Sequence, residues 1–280
     1  MLGVVTGLRS EAKLLSGTGL ACVSTGGRAH IARAKIDRLI GRGVRGLISF
    51  GIAGALSPDL RTGNLVIADT VMNDIGEAWR THEPWVEALV TAVAAARQHR
   101  DDAPHHAASR RSEGHATSVP SWSLHDDGAQ EAPLAPRASS VTSAVRPGPS
   151  ERQAGAERGV RVGGVLGLDR LLSSPADKAN AFAQRGALSV DMESHHVARM
   201  AAEGGLPFIA VRAISDRADE TLPAVMASFV DQEGQTRMSA VLAALILGRV
   251  GLGKLLQAGR ASRRAQQVLL RCRGALAGLG

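Results

Sequence analysis

Short runs of Val, Ile and Leu recur along this chain, set apart by stretches of helical period. LGVVTG (2–7), LACVST (20–25), GLISFGIAG (46–54), NLVIADTVM (64–72), VRVGGVLGL (160–168), ALSVDM (187–192) and PFIAVRAIS (207–215) read as strands. Most lack a polar alternation, which predicts burial on both faces of a sheet. GRAHIARAKIDRLIGRG (27–43) instead puts Ile31, Ile36, Leu39 and Ile40 near one face of a helix. This alternation predicts an α/β layered fold around a largely buried sheet. With 280 residues, 44% of them apolar, the chain can build one full α/β domain or two small ones. Four Phe, three Trp and no Tyr leave the core to Ala, Val, Leu and Ile.

Two stretches depart from the pattern. Residues 98–158 hold six of the eleven prolines and five of the nine histidines, with no sustained hydrophobic period. They are expected to form a low-complexity, disordered insertion. Histidines 99, 105, 106, 115 and 125 match no metal-ligand spacing, and no metal is expected. From residue 236 onward the chain is expected to be a basic helical tail, which leaves 1–235 as the main domain. Residues 249–280 carry seven basic residues and no acidic one, which accounts for the whole net charge of +7. A global nucleic-acid surface is therefore excluded, while an anionic partner for the tail is not. Within that tail, Leu252, Leu255, Leu256, Val268, Leu269 and Leu270 alternate with basic residues. A surface helix with solvated arginines is expected there, with an interfacial helix touching anionic headgroups as the sharper alternative.

Cys22 and Cys272 give neither a disulfide framework nor a zinc spacing. MLGVVTGLRSEAK lacks the basic and long apolar parts of a signal peptide. The apolar run at 240–248 is about half the roughly 20 residues that span a bilayer. A cytoplasmic protein is expected.

Chemistry is expected at four places. RAISDRAD (212–219) delivers Asp216 at the carboxyl edge of a strand, where open α/β sheets bind ligands. Burial there would make it a general acid; with Ser215 it is equally a helix cap. VDMESHHVA (190–198) places Glu193 at a strand-to-helix junction, ready to accept from a ribose diol or simply to favour a helix N-terminus. His195 and His196 point about 100° apart on a helix and are expected to be ordinary helix residues. GLRSEAKLL (7–15) aims Glu11 at the same edge, although a first-turn glutamate is common. STGGRAH (24–30) and FGIAGAL (50–56) open either anion-binding turns or close-packed glycine contacts. Neither has dinucleotide or Walker spacing.

In this order, GLRSEAKLL, SFGIAGAL, VDMESHHVA and RAISDRAD resemble the purine/uridine phosphorylase superfamily, in particular its methylthioadenosine/S-adenosylhomocysteine nucleosidase branch. LGVVTGLRSEAKLL, GVLGLDRLL and the long tail after VDQEG resemble more closely the hopanoid-associated phosphorylase, or adenosylhopane nucleosidase, family. The resemblance implies a three-layer αβα fold around a mixed central sheet and a homodimer. It implies removal of adenine from a lipid-linked nucleoside, adenosylhopane. No cofactor is implied, with phosphate an optional co-substrate.

By the same resemblance, Asp216 would protonate purine N7 and Glu193 would bind ribose hydroxyls, with the backbone near Met192 against the sugar. Glu11 would position water, and Arg212 would hold water or phosphate. Ile52, Ala53, Gly54 and Ser215 would line the site. Leu171 and Leu172 would lie by the base where relatives place an aromatic followed by an aliphatic residue, and Ile52 stands where relatives carry a hydroxyl. Peripheral contact with the inner face of the cytoplasmic membrane through the tail would suit a lipid substrate. The alternatives are a generic methylthioadenosine/S-adenosylhomocysteine nucleosidase, a purine nucleoside phosphorylase and a non-catalytic nucleoside-binding scaffold.

Overall fold

The computed structural model describes residues 1–101, 159–223 and 251–280, together with Asp231, Gly234, Gln235, Val241, Ala243, Ala244 and Leu247. The expected insertion begins later than its composition suggests. The helix over Glu83–Asp101 carries regular backbone through 98–101, and the rest of the stretch, 102–158, lies outside the described residues. Most of 236–250 lies outside them too.

Eight strands form one mixed sheet: β1 (Gly3–Thr6), β2 (Ala21–Ser24), β3 (Leu47–Ala55), β4 (Leu65–Met72), β5 (Ala78–Arg80), β6 (Val160–Gly167), β7 (Ser189–Asp191) and β8 (Phe208–Asp216). Among the described residues six helices accompany them: α1 (Arg9–Leu14), α2 (Ala29–Gly41), α3 (Glu83–Asp101), α4 (Pro175–Arg185), α5 (Ser194–Glu203) and α6 (Leu252–Ala277). β3 pairs in parallel with β1 and β8, whereas β4 pairs antiparallel with β8 and β7 antiparallel with β3. With β6 joining β4 to β7, the strands β3, β8, β4, β6 and β7 close into a ring.

Alternate strand residues feed opposite cores, as the two-residue period of a strand dictates. Val5, Leu47, Val66 and Ala210 pack with Ile36 and Leu39 of α2 and Val197 and Ala201 of α5. Val4, Ile48, Ile67 and Val211 pack with Leu89 of α3 and Ala265, Leu269, Cys272 and Leu276 of α6. The sheet is thus covered on both faces, and the expected strands are near-continuous apolar runs for that reason. The last part of α6 belongs to the second core, and Gln266 is tied to Ser10 of α1 at 3.0 Å. Its six basic residues all face outward.

The stretch 50–56 departs from its expected Gly-rich turn: β3 runs unbroken to Ala55. Its glycines serve close approach. A Cβ on Gly51 would lie 2.7 Å from Arg212 Nη1, and one on Gly54 would lie 2.9 Å from Asp216 Oδ2. The turn at 24–30 is a true turn, with Gly26 and Gly27 at φ 67° and 69° before α2. Only glycine takes such angles without strain.

Candidate active site

The site lies where strands of opposite direction meet, with β7 taking the place of β1 beside the end of β3. Such switch points leave a crevice beyond the strand ends. β3 and β8 pair residue for residue until Ala53, where β8 bulges by one residue, so that Gly54 faces Asp216. Bulges re-aim side chains, and here the extra residue is Ser215. Its hydroxyl donates to Asp216 Oδ1 at 2.8 Å and lies 3.2 Å from the Ala53 carbonyl. Asp216 is therefore the last residue of a strand, and the capping alternative finds no helix start at 216 among the described residues.

Four residues before Asp216 on β8, opposite Gly51 of β3, a fully buried Arg212 holds a polar cluster together. Its Nε donates to Asp191 Oδ2 at 2.5 Å, and its Nη2 donates to Ser49 and, at 3.0 Å, to Ser194. Glu193 Oε2 stands 3.9 Å from Nη2. Among the described residues Nη1 has no hydrogen-bond partner, although it is buried, and it shares the space above Gly51 with both carboxylate oxygens of Glu11. Glu11 accepts from the backbone N–H of Leu8 at 2.8 Å and of Ile52 at 2.9 Å. Asp191 Oδ1 accepts from the N–H groups of Glu193 and Ser194, which caps the start of α5. Glu193 reaches the chain end of β1, its Oε1 2.7 Å from where a Gly7 Cβ would sit.

Burial shapes the charges. It pushes Glu11 above the usual carboxylate range, against the pull of its backbone donors and Arg212. Burial also pushes Glu193 up to about 8, opposed by Arg212 and helped by Asp191 and Glu11. The folded protein therefore holds a proton on Glu193 that the unfolded chain releases near 4.5. The associated stability is full below about 4.5 and lost as pH rises through about 8. Melting temperature is expected to fall across that window, and to fall less in Glu193→Gln. Equal slopes for the two proteins would remove Glu193 as the source.

Asp216 has a partner that no sequence pattern announces. Lys178 of α4 is fully buried, with Nζ 2.6 Å from Asp216 Oδ2. The same ammonium donates to the carbonyls of Arg217 at 2.8 Å and Glu220 at 3.1 Å, so each of its three N–H groups has an acceptor.

Asp216, Gly54, Met192, Leu171 and Leu172 line one cavity of about 40 Å³. That is room for water rather than a nucleoside. A second cavity of about 270 Å³ shares Arg170 and Leu172 as walls. Met192 spans the polar cluster and the cavity: it lines the cavity, and its Cε lies 3.3 Å from where a Gly27 Cβ would be.

The adjacent histidines overturn their expectation. His195 and His196 do face one site, with ring centroids 3.8 Å apart and both Nε2 atoms directed at Asp169 Oδ1, at 3.2 and 2.8 Å. They occupy the first turn of α5, and Asp169 lies in the loop after β6.

The model of the phosphorylase superfamily matches residues 11–247. The fold is similar to the Streptococcus pneumoniae 5'-methylthioadenosine/S-adenosylhomocysteine nucleosidase bound to a transition-state inhibitor. The TM-score is 0.56 at 16% identity, covering 98% of this chain and 99% of that one. It is similar to the Streptococcus pyogenes S-adenosylhomocysteine nucleosidase, with a TM-score of 0.58 at 15% identity over 100% and 97%. The futalosine hydrolase of Helicobacter pylori gives 0.51 at 17% identity over 88% and 97%. No curated protein matches in sequence. At these identities the solved structures establish the fold. With the family model covering most of the chain and the mixed sheet in agreement, this protein belongs to the phosphorylase superfamily.

Proposed function

We propose that this protein cleaves the N-glycosidic bond of an adenine nucleoside, with water as the nucleophile and a lipid-linked nucleoside, adenosylhopane, as the substrate. The observation that carries the reading is the spacing of buried groups along β3. Glu11 and Arg212 meet at Gly51, and Asp216 meets Gly54 three residues on. Three strand residues span about 10 Å; although Gly51 and Gly54 face opposite sides of β3, Asp191 and Met192, next to Glu193, line the same cavity as Asp216.

Breaking the C1'–N9 bond leaves negative charge on adenine and positive charge on the ribose. Asp216, ion-paired with Lys178 in the free protein, takes a proton from solvent and passes it to N7, so adenine departs neutral. The resulting carboxylate keeps Lys178 as its counter-charge and Ser215 as a donor. Glu193 accepts from the ribose hydroxyls. Water attacks C1' and passes a proton to Glu11, so that atoms and charge balance across hydrolysis.

Water is favoured over phosphate because the Leu8 and Ile52 N–H groups, which an oxyanion would use, already serve Glu11. Nη1 of Arg212, without a hydrogen-bond partner among the described residues, is suited to one water oxygen. The test is adenine release by the purified full chain from adenosylhopane and from methylthioadenosine, with and without phosphate. A phosphate-independent rate that prefers the lipid nucleoside is expected. Dependence on phosphate would overturn hydrolysis, preference for methylthioadenosine would overturn the lipid assignment, and binding without release would leave a scaffold.

The lipid assignment gains from α6. Leu252 and Leu256, both more than half exposed, lie beside Lys254 on its first turns, with Arg260, Arg263 and Arg264 following. Leucines among unopposed cations suit an anionic membrane surface, at ~1 kcal/mol per basic residue. Among the described residues no helix is long and apolar enough to cross a membrane. Flotation with anionic vesicles is expected to be lost when Lys254, Arg260, Arg263 and Arg264 become Glu. Unchanged flotation would remove α6 from membrane contact.

A further inference from the structure

We propose that Asp169, His195 and His196 form a binding site for a divalent transition metal of the zinc type. One ligand atom from each residue lies within 4.8 Å of the other two. The two imidazole Nε2 atoms approach the same carboxylate oxygen, at 3.2 and 2.8 Å. Zinc bound by nitrogen and oxygen at ~2.0–2.2 Å in a tetrahedral site separates its ligands by roughly 3.3 Å. Small outward movements of the donors therefore admit the ion. Two imidazoles and a carboxylate are a donor set that zinc favours.

The histidines are held on the first turn of a helix and are largely buried, whereas the Asp169 side chain is 62% exposed. That leaves the remaining coordination position open toward solvent. Arg199, one turn further along α5, does not oppose the ion with a free charge, because it is paired with Glu77.

The site has a weakness that sets its expected strength. Nδ1 of His195 is buried and has no hydrogen-bond partner among the described residues. Metal-bound histidines ordinarily donate that second N–H to an acceptor, and losing the acceptor costs about 10–100-fold in affinity. The site is thus one of moderate affinity, filled and emptied with the metal supply. The ion would join α5 to the loop after β6. That loop carries Arg170, Leu171 and Leu172, which wall the cavity at Asp216. Metal would hold that loop in place. The site stands independently of the glycosidic reaction.

Zinc is titrated into the chelator-treated, untagged full chain by calorimetry, and cobalt absorption reports the ligands. Five further histidines lie between 98 and 158, so the protein with those five changed to Gln is measured alongside. One equivalent of zinc is expected to bind both proteins, with cobalt showing a tetrahedral spectrum. Affinity is expected to fall at least about tenfold in Asp169→Asn and in His196→Ala. Asp169→Asn, at an exposed position, keeps the test open if the histidine variant misfolds. The proposal is overturned if no saturable binding occurs, if both variants bind as the parent does, or if changing the five distant histidines abolishes binding.

Discussion

Asp216→Asn is expected to slow adenine release by about 10²–10⁴-fold, the usual contribution of one well-placed general acid. The amide matches the carboxyl group in shape but has no proton to give to N7. The loss should fall on kcat, because the proton moves only as the bond breaks. The fold should survive. An amide oxygen can still accept from Lys178, whose other two bonds go to the carbonyls of Arg217 and Glu220.

What Asn removes is the counter-charge. Lys178 is fully buried, so a lone ammonium there carries a desolvation penalty that the ion pair had offset. Asp216→Asn should therefore lose stability, and adding Lys178→Met should restore part of it. Denaturant titrations of the two single variants and the double variant measure that coupling. Adenine release near the parent rate in Asp216→Asn would take Asp216 out of the mechanism. Strict additivity of the two substitutions would deny that the pair is coupled.

The strands were legible because both faces of the sheet are buried, which leaves apolar runs with few competing readings. β5, Ala78–Arg80, was missed: it is three residues long, two of them exposed, and carries no such run. The glycines of β3 were ambiguous for a physical reason. A glycine that makes a turn and one that makes room for a neighbouring side chain look identical in sequence, and only the nearness of Arg212 and Asp216 tells them apart.

The carboxylates at 11, 193 and 216 were legible as strand-edge acids, since each follows an apolar run. Their partners were not. Lys178 sits in a helix rich in polar residues, where a lysine reads as solvated. Its burial arises from contact with a strand 38 residues away. The histidine pair was misjudged for a related reason. The angle between neighbouring positions on a helix constrains Cβ directions, while ring directions also follow a partner on another segment, here Asp169 in the loop after β6.

Arg212→Met carries the largest expected effect on stability, a loss of about 3–5 kcal/mol, the range for breaking a buried ion pair by removing one partner. Methionine fills similar space but leaves Asp191 Oδ2 with a single donor, the Ser194 hydroxyl. It takes a donor from Ser49 and Ser194. It also removes the one cation that opposes the upward pull of burial on both Glu11 and Glu193. Those carboxyl groups should then hold their protons to higher pH. The variant should accordingly be least stable, relative to the parent, under alkaline conditions, where the parent's carboxylates still have Arg212 and the variant's keep only backbone donors. Arg212→Lys should recover little of the loss. The native guanidinium serves Asp191 through Nε and two serines through Nη2, and one ammonium cannot reach both directions. Urea unfolding of the three proteins at neutral and alkaline pH decides the matter. A methionine variant within about 1 kcal/mol of the parent at both pH values would mean that this arginine does not hold the buried acids in place.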